Sequence, residues 1–205
     1  MNFKTLGRLA GVLAITAGLA ACVDVEAEIE VLSETRGKTT TTMTMSGEIY
    51  PMLKEMAASG GDKTDFCTDE GDVLTENADG SATCLSVKEG DLAKLTKGED
   101  GDNDDTSFTV VSPGVVRVTF KTGDLTSDIT KGSDGASEAE MAQGMAMIRP
   151  YFADRTIKIR VKGKRIVESN MNVSGNTAET TLQWIDLLDG KADVPAEIYA
   201  VVDTR

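Results

Sequence analysis

Residues 156–184 read TIKIRVKGKRIVESNMNVSGNTAETTLQW, and the alternation within them decides the fold class. From Thr156 to Lys162 the apolar Ile157, Ile159 and Val161 take every second position, with Lys158, Arg160 and Lys162 between them. Period two places one set on each face of a strand, one face dry and the other wet. Gly163-Lys164 is a two-residue turn signal that predicts a hairpin pairing Val161 with Ile166, with Arg165 to Asn170 as the return strand. Ser174-Gly175-Asn176 predicts a further turn. Thr177 to Trp184 then alternates again, with Ala178, Thr180, Leu182 and Trp184 on one side.

The same period recurs outward from this stretch. Val23, Val25, Ala27, Ile29 and Val31 alternate with Asp24, Glu26, Glu28 and Glu30, which predicts a strand at the start of the folded part. Thr39 to Met45 is rich in β-branched threonine and predicts a second strand antiparallel to it, after a break at Gly37-Lys38. Val115 to Thr122 and Glu197 to Val202 read as strands. Tyr50 to Ala58, a short piece at Gly90 to Leu95, and Ser137 to Tyr151 read as helices; Ser137 with Glu140 makes a capping box for the last. Together these predict an α+β fold: an antiparallel sheet of about seven strands with two or three helices on one face.

The N-terminus carries an address. Lys4 and Arg8 precede an uncharged run from Leu9 to Ala21 that ends in small residues, the layout of a secretory signal peptide. At thirteen residues the run is too short to span a bilayer, which takes about 20. Leu19-Ala20-Ala21-Cys22 resembles the lipobox of bacterial lipoproteins, which implies cleavage before Cys22 and acylation of that residue. Residues 1–21 are then removed and 22–205 form one periplasm-facing domain. The acid at Asp24 does not follow the cysteine directly, since Val23 intervenes, and this favours the outer membrane. No flexible tether separates Cys22 from the first strand, so the domain is expected close to the bilayer.

Charge and composition exclude several classes. The chain has 21 basic and 34 acidic residues and a net charge of −13, and the leader holds two of the basic ones and no acid. Such a surface repels phosphates, so no nucleic-acid role is expected. Histidine is absent, which removes Ser-His-Asp and Cys-His nucleophiles and every His-containing metal site. No P-loop or GxSxG elbow is present, and no enzyme activity, cofactor or metal is expected. Beyond Cys22, the two remaining cysteines, Cys67 and Cys84, are expected to pair as a disulfide in an oxidising compartment, pinning a loop or hairpin. Asp100, Asp102 and Asp104 have calcium-loop spacing, but Asp105 replaces the turn glycine and Val111 the bidentate glutamate, so residues 99–105 read as a solvated loop.

Two features suggest binding. Met141, Met145 and Ile148 fall at helical spacing and form a stripe suited to an adaptable ligand groove against the sheet. Lys158, Arg160 and Lys162 share the wet face of their strand; they either contact anionic lipid headgroups or pair with acids of their own domain.

The lipobox running into a strand, SGGDKTDFC at 59–67, and IKIRVKGKRIVESNMNVSGNTAETTLQWIDLLDG at 157–190 resemble small Gram-negative lipoproteins. More distantly they resemble the LppM-type lipoprotein domain, in which strands flank a helical segment and a late strand carries a tryptophan, here Trp184. That resemblance implies lipid binding; many members also carry a C-terminal transmembrane helix, and residues up to Arg205 contain no apolar run of that length. The expected function is a membrane-anchored, non-enzymatic binder of lipid or another hydrophobic ligand. The alternative is a structural or assembly partner in an envelope protein complex.

Overall fold

The computed structural model describes residues 23–58, 66–67, 69–95, 106–122, 149–150, 152–189, 192 and 194–205. Eleven strands form two sheets. They are β1 (Val23–Val31), β2 (Arg36–Met45), β3 (Val73–Glu76), β4 (Ala82–Asp91), β5 (Thr106–Ser112), β6 (Val115–Lys121), β7 (Thr156–Lys162), β8 (Arg165–Ser169), β9 (Asn172–Ser174), β10 (Thr177–Gln183) and β11 (Glu197–Asp203). The larger sheet is mixed, in the order β3-β4-β2-β1-β7-β10-β9; the smaller is antiparallel, in the order β5-β6-β11-β8. Three short helices accompany them among the described residues: α1 (Tyr50–Ala58), α2 (Leu92–Leu95) and α3 (Trp184–Leu188). The fold is therefore mostly β, not the single helix-covered antiparallel sheet that the alternation suggested.

β1 is the middle strand of seven. Its inner face is Val23, Val25, Ala27, Ile29 and Val31, all buried. Val23, Val25, Ile29 and Val31 join one apolar core with Val116, Val118 and Phe120 of β6 and Ile198, Ala200 and Val202 of β11, so the two sheets share a single interior. β2 runs antiparallel to β1 as expected, but it starts at Arg36 and takes in Gly37-Lys38, the expected break. β7 runs parallel to β1, with Glu26, Glu28 and Glu30 in register with Lys158, Arg160 and Lys162. Opposite charges in register favour this partner, because an acidic strand there would set like charges side by side.

The expected hairpin at Gly163-Lys164 does not form. Both edges of β7 are taken, one by β1 and the other by β10, so β8 has no edge to pair with. The chain instead crosses at Gly163 into the smaller sheet, where β8 pairs with β11. Asn176 holds this corner: its carbonyl accepts from Gly163 N–H at 3.2 Å, and its Nδ2 donates to the Gly163 carbonyl at 3.0 Å. Ile166 and Val167 are consecutive apolar residues where strict alternation would allow one. The register shifts there against Val201 and Val202, which leaves Val167 exposed. Arg165 closes the corner by donating to Asp203 at 2.7 Å. Hydrogen bonds from Arg205 and then Arg165 hold the Asp203 carboxyl far below the usual carboxylate range.

β3, β4, β5 and β9 lie outside the strands expected from sequence. β4 shows why: it alternates, but its apolar Leu85 and Val87 face solvent while Ser86 and Lys88 face inward. The helix expected at Ser137 to Tyr151 lies mostly outside the described residues; Arg149 and Pro150 at its end are helical.

Gly163 and Gly175 provide a paired test. A Cβ on Gly163 would overlap the buried Val202 Cγ1, whereas Gly175 has φ +61° and open space around it. Overpacking at Gly163→Ala should cost about 1–3 kcal/mol. Gly175→Ala, limited to left-handed strain, should cost about 1 kcal/mol. Denaturant unfolding should show the larger midpoint loss for Gly163→Ala, with unchanged slope in both.

Candidate functional site

The first two residues of β1 are held from the far end of the sequence. Trp184 Nε1 donates to the Val23 carbonyl at 3.2 Å. Asp24 accepts from Arg155 Nη1 at 2.7 Å and from Thr156 N–H at 2.8 Å. Trp184 starts α3, where its own N–H donates to the Arg155 carbonyl at 3.0 Å and its indole packs against Phe152, ring centres 5.9 Å apart. The residue following Cys22 is thus already part of a packed, hydrogen-bonded sheet. Cys22 itself lies outside the described residues.

The core changes character along β1, which spans about 26 Å. At the Val23 end it contains Met45, Tyr50, Phe152, Trp184 and Leu187. At the Val31 end it contains Val161, Val202 and Leu92. The long, flexible or aromatic side chains therefore collect where the chain enters from Cys22. α1 closes this end over Tyr50 and Leu53 and leaves Met52 exposed. Tyr50 Oη and Lys54 Nζ both donate to Glu76 at 2.8 Å, tying α1 to β3. Lys54 and then Tyr50 hold the Glu76 carboxyl below its ordinary range, while burial and the Glu76 contact raise the Tyr50 hydroxyl.

Lys158, Arg160 and Lys162 line the outer face of the larger sheet. Arg160 pairs with both Glu26 and Glu179, and Lys162 Nζ lies 3.4 Å from Glu30. The hydrogen bond to Glu179 holds the Arg160 guanidinium above its ordinary pKa. Lys158 is in register with Glu26 on one side and Thr181 on the other. Of the two readings of this basic row, pairing with acids of its own sheet accounts for Arg160 and Lys162. The expected groove residues Met141, Met145 and Ile148, and the acidic run at 99–105, lie outside the described residues.

Cys67 and Cys84 form a disulfide that joins the segment before β3 to the inner face of β4. The pairing is the expected one, and of the two alternatives, loop or hairpin, the structure contains the β3–β4 hairpin. Cys67 adopts φ 63°, a left-handed conformation uncommon outside glycine. Sequence reasoning missed Asp72. Its Oδ2 lies 3.8 Å from Cys84 Sγ, and its Oδ1 is buried with no hydrogen-bond partner among the described residues. Nothing in the spacing of residues 67, 72 and 84 signals this contact; it follows from the turn at Asp69–Asp72, where Asp72 N–H donates to the Asp69 carbonyl at 3.1 Å.

No protein family and no curated protein matches the chain in sequence. Among solved structures it is similar to the folded domain of Mycobacterium tuberculosis LppM, determined by NMR, at 12% identity and a TM-score of 0.45, covering 90% of this chain and 94% of that one. No helix among the described residues is long and apolar enough to cross a membrane.

The clamp on β1 has a measurable value. Asp24→Ala removes the hydrogen bonds from Arg155 Nη1, Thr156 N–H and Thr156 Oγ1 and leaves the Arg155 guanidinium without its carboxylate. On a partly exposed pair this should lower stability by about 1–2 kcal/mol. A thermal scan of the variant should show a lower midpoint, and Trp184→Phe, which keeps the ring contact but not the indole donor, should lose about 1 kcal/mol.

Proposed function

We propose that this chain is a lipid-anchored protein of the bacterial cell envelope, outer-membrane bound and periplasm-facing, that binds a lipid or other hydrophobic ligand beside the bilayer without catalysis. The observation that carries the reading is the locked start of β1. Val23 and Asp24 are fixed by Trp184, Arg155 and Thr156, so an acyl group on Cys22 leaves little distance between domain and headgroups. Two or more acyl chains, each buried CH₂ contributing about 0.8 kcal/mol, make a stable anchor.

The end of the core nearest that anchor is also the one supplied with methionine and aromatic side chains, which adapt to irregular apolar shapes. Met141, Met145 and Ile148 are the residues we assign to the groove that receives the ligand.

A second reading, an assembly partner in an envelope complex, is favoured by one observation. The strands at the sheet margins carry exposed valines: Val73 on β3, Val110 and Val111 on β5, Val167 on β8 and Val173 on β9. Unpaired edges of this kind accept a further strand or a partner surface.

Lipid mass spectrometry of the protein purified from membranes in mild detergent separates the two. The binding reading predicts one lipid class in stoichiometric amount beyond the covalent acyl groups. It also predicts loss of that lipid in Met141→Glu/Met145→Glu with the melting temperature retained. A lipid-free protein with a reproducible co-purifying partner would replace it with the assembly reading.

A further inference from the structure

Asp72 presents an unusual combination. A carboxylate oxygen is buried without a donor, and the other oxygen of the same group lies against a sulfur that carries no proton while the disulfide is intact. The neighbouring Asp69 has its cation in Lys88, 3.7 Å away, whereas Asp72 has none among the described residues. Cys67 Sγ, Cys84 Sγ and a carboxylate oxygen of Asp72 all lie within 4.8 Å of one another. A tetrahedral zinc ion held by two thiolates and a carboxylate places its donor atoms about 3.5–3.8 Å apart. The Asp72–Cys84 sulfur–oxygen separation of 3.8 Å is within a few tenths of an ångström of that requirement, and the two sulfurs separate when their bond breaks.

We propose that Cys67, Cys84 and Asp72 form a redox-gated site for a thiophilic divalent cation, with zinc as the best fit. The disulfide closes the site. A dithiol reductant opens it: two electrons and two protons pass to the disulfide, the S–S bond breaks, Cys67 and Cys84 become thiols, and the reductant is oxidised to its own disulfide. Zinc then displaces the two thiol protons to water. Two thiolates and the Asp72 carboxylate bring three negative charges to the ion and satisfy the orphaned carboxylate. The fourth position falls to water, because Cys67 and Asp72 are only partly buried while Cys84 is fully buried. Without metal, Cys84 Sγ–H donates to Asp72 in the reduced chain.

The proposal is independent of the lipid anchor and is tested on the whole chain with cobalt as the probe. Samples are reduced with a phosphine under anaerobic conditions, titrated with Co²⁺, and then competed with Zn²⁺. The reduced protein should bind one cobalt per chain with a thiolate-to-cobalt band in the near ultraviolet that zinc abolishes; the oxidised protein should show no band. Asp72→Asn, which keeps the shape of the side chain, should weaken binding by about ten-fold or more. Reduced protein that binds cobalt no more tightly than Cys67→Ser/Cys84→Ser, or an Asp72→Asn variant that binds as tightly as the parent, would overturn the site. Far-ultraviolet circular dichroism of the same samples follows whether the chain stays folded after loss of the disulfide. A reduced chain that unfolds and does not regain its spectrum with zinc would also overturn it.

Discussion

The parallel pairing of β1 with β7 is the contact on which the remaining architecture depends. It joins residues 25–30 to 157–162 and makes β1 the middle of a seven-stranded sheet. Two physical terms select it. Val25 and Ile29 bury against the same interior as Ile157, Ile159 and Val161. On the opposite face Glu26, Glu28 and Glu30 meet Lys158, Arg160 and Lys162. The charges add little energy individually, since exposed pairs contribute about 0–1 kcal/mol, but they discriminate strongly between partners. Once β7 is held by β1 and β10, β8 must leave for the second sheet, and Gly163 is the residue that allows the crossing over Val202. The same pairing brings Arg155, Thr156 and Trp184 to the first two residues of β1.

Much of this was readable in the sequence wherever one face of a strand is dry and the other wet. β1 and α1 match their expected limits, and β7, β10 and β11 lie within a residue of theirs, because their alternation or composition coincides with burial. β2 was readable only in part. Its threonines occupy both faces, with Thr39 and Thr41 buried and Thr40 and Thr42 outward, so no polarity contrast marks its start. β4 and β5 expose apolar residues to solvent, which inverts or erases the pattern that alternation relies on. The Gly163-Lys164 step was misread for a topological reason. Local turn chemistry permits a hairpin, but it carries no information on whether the edges of β7 are free.

The site was less readable than the fold. Two cysteines that remain after Cys22 are enough to predict a pairing once an oxidising compartment is expected, and the structure contains it. The carboxylate beside them is not predictable from a chain with 34 acidic residues, because only the fold selects Asp72 among them. The clamp on Val23 and Asp24 likewise depends on contacts spanning more than 130 residues. Contacts so distant in sequence carry a larger loop-closure entropy than local ones.

Native-state hydrogen exchange on the folded protein measures the rigidity of the start of β1 most directly. A packed central strand predicts that the amides of Val25 to Ile29 open only with global unfolding, as slowly as those of β7. Exchange of these amides within seconds, while β7 and β11 stay protected, would mean that the segment after Cys22 acts as a loose tether and would contradict it.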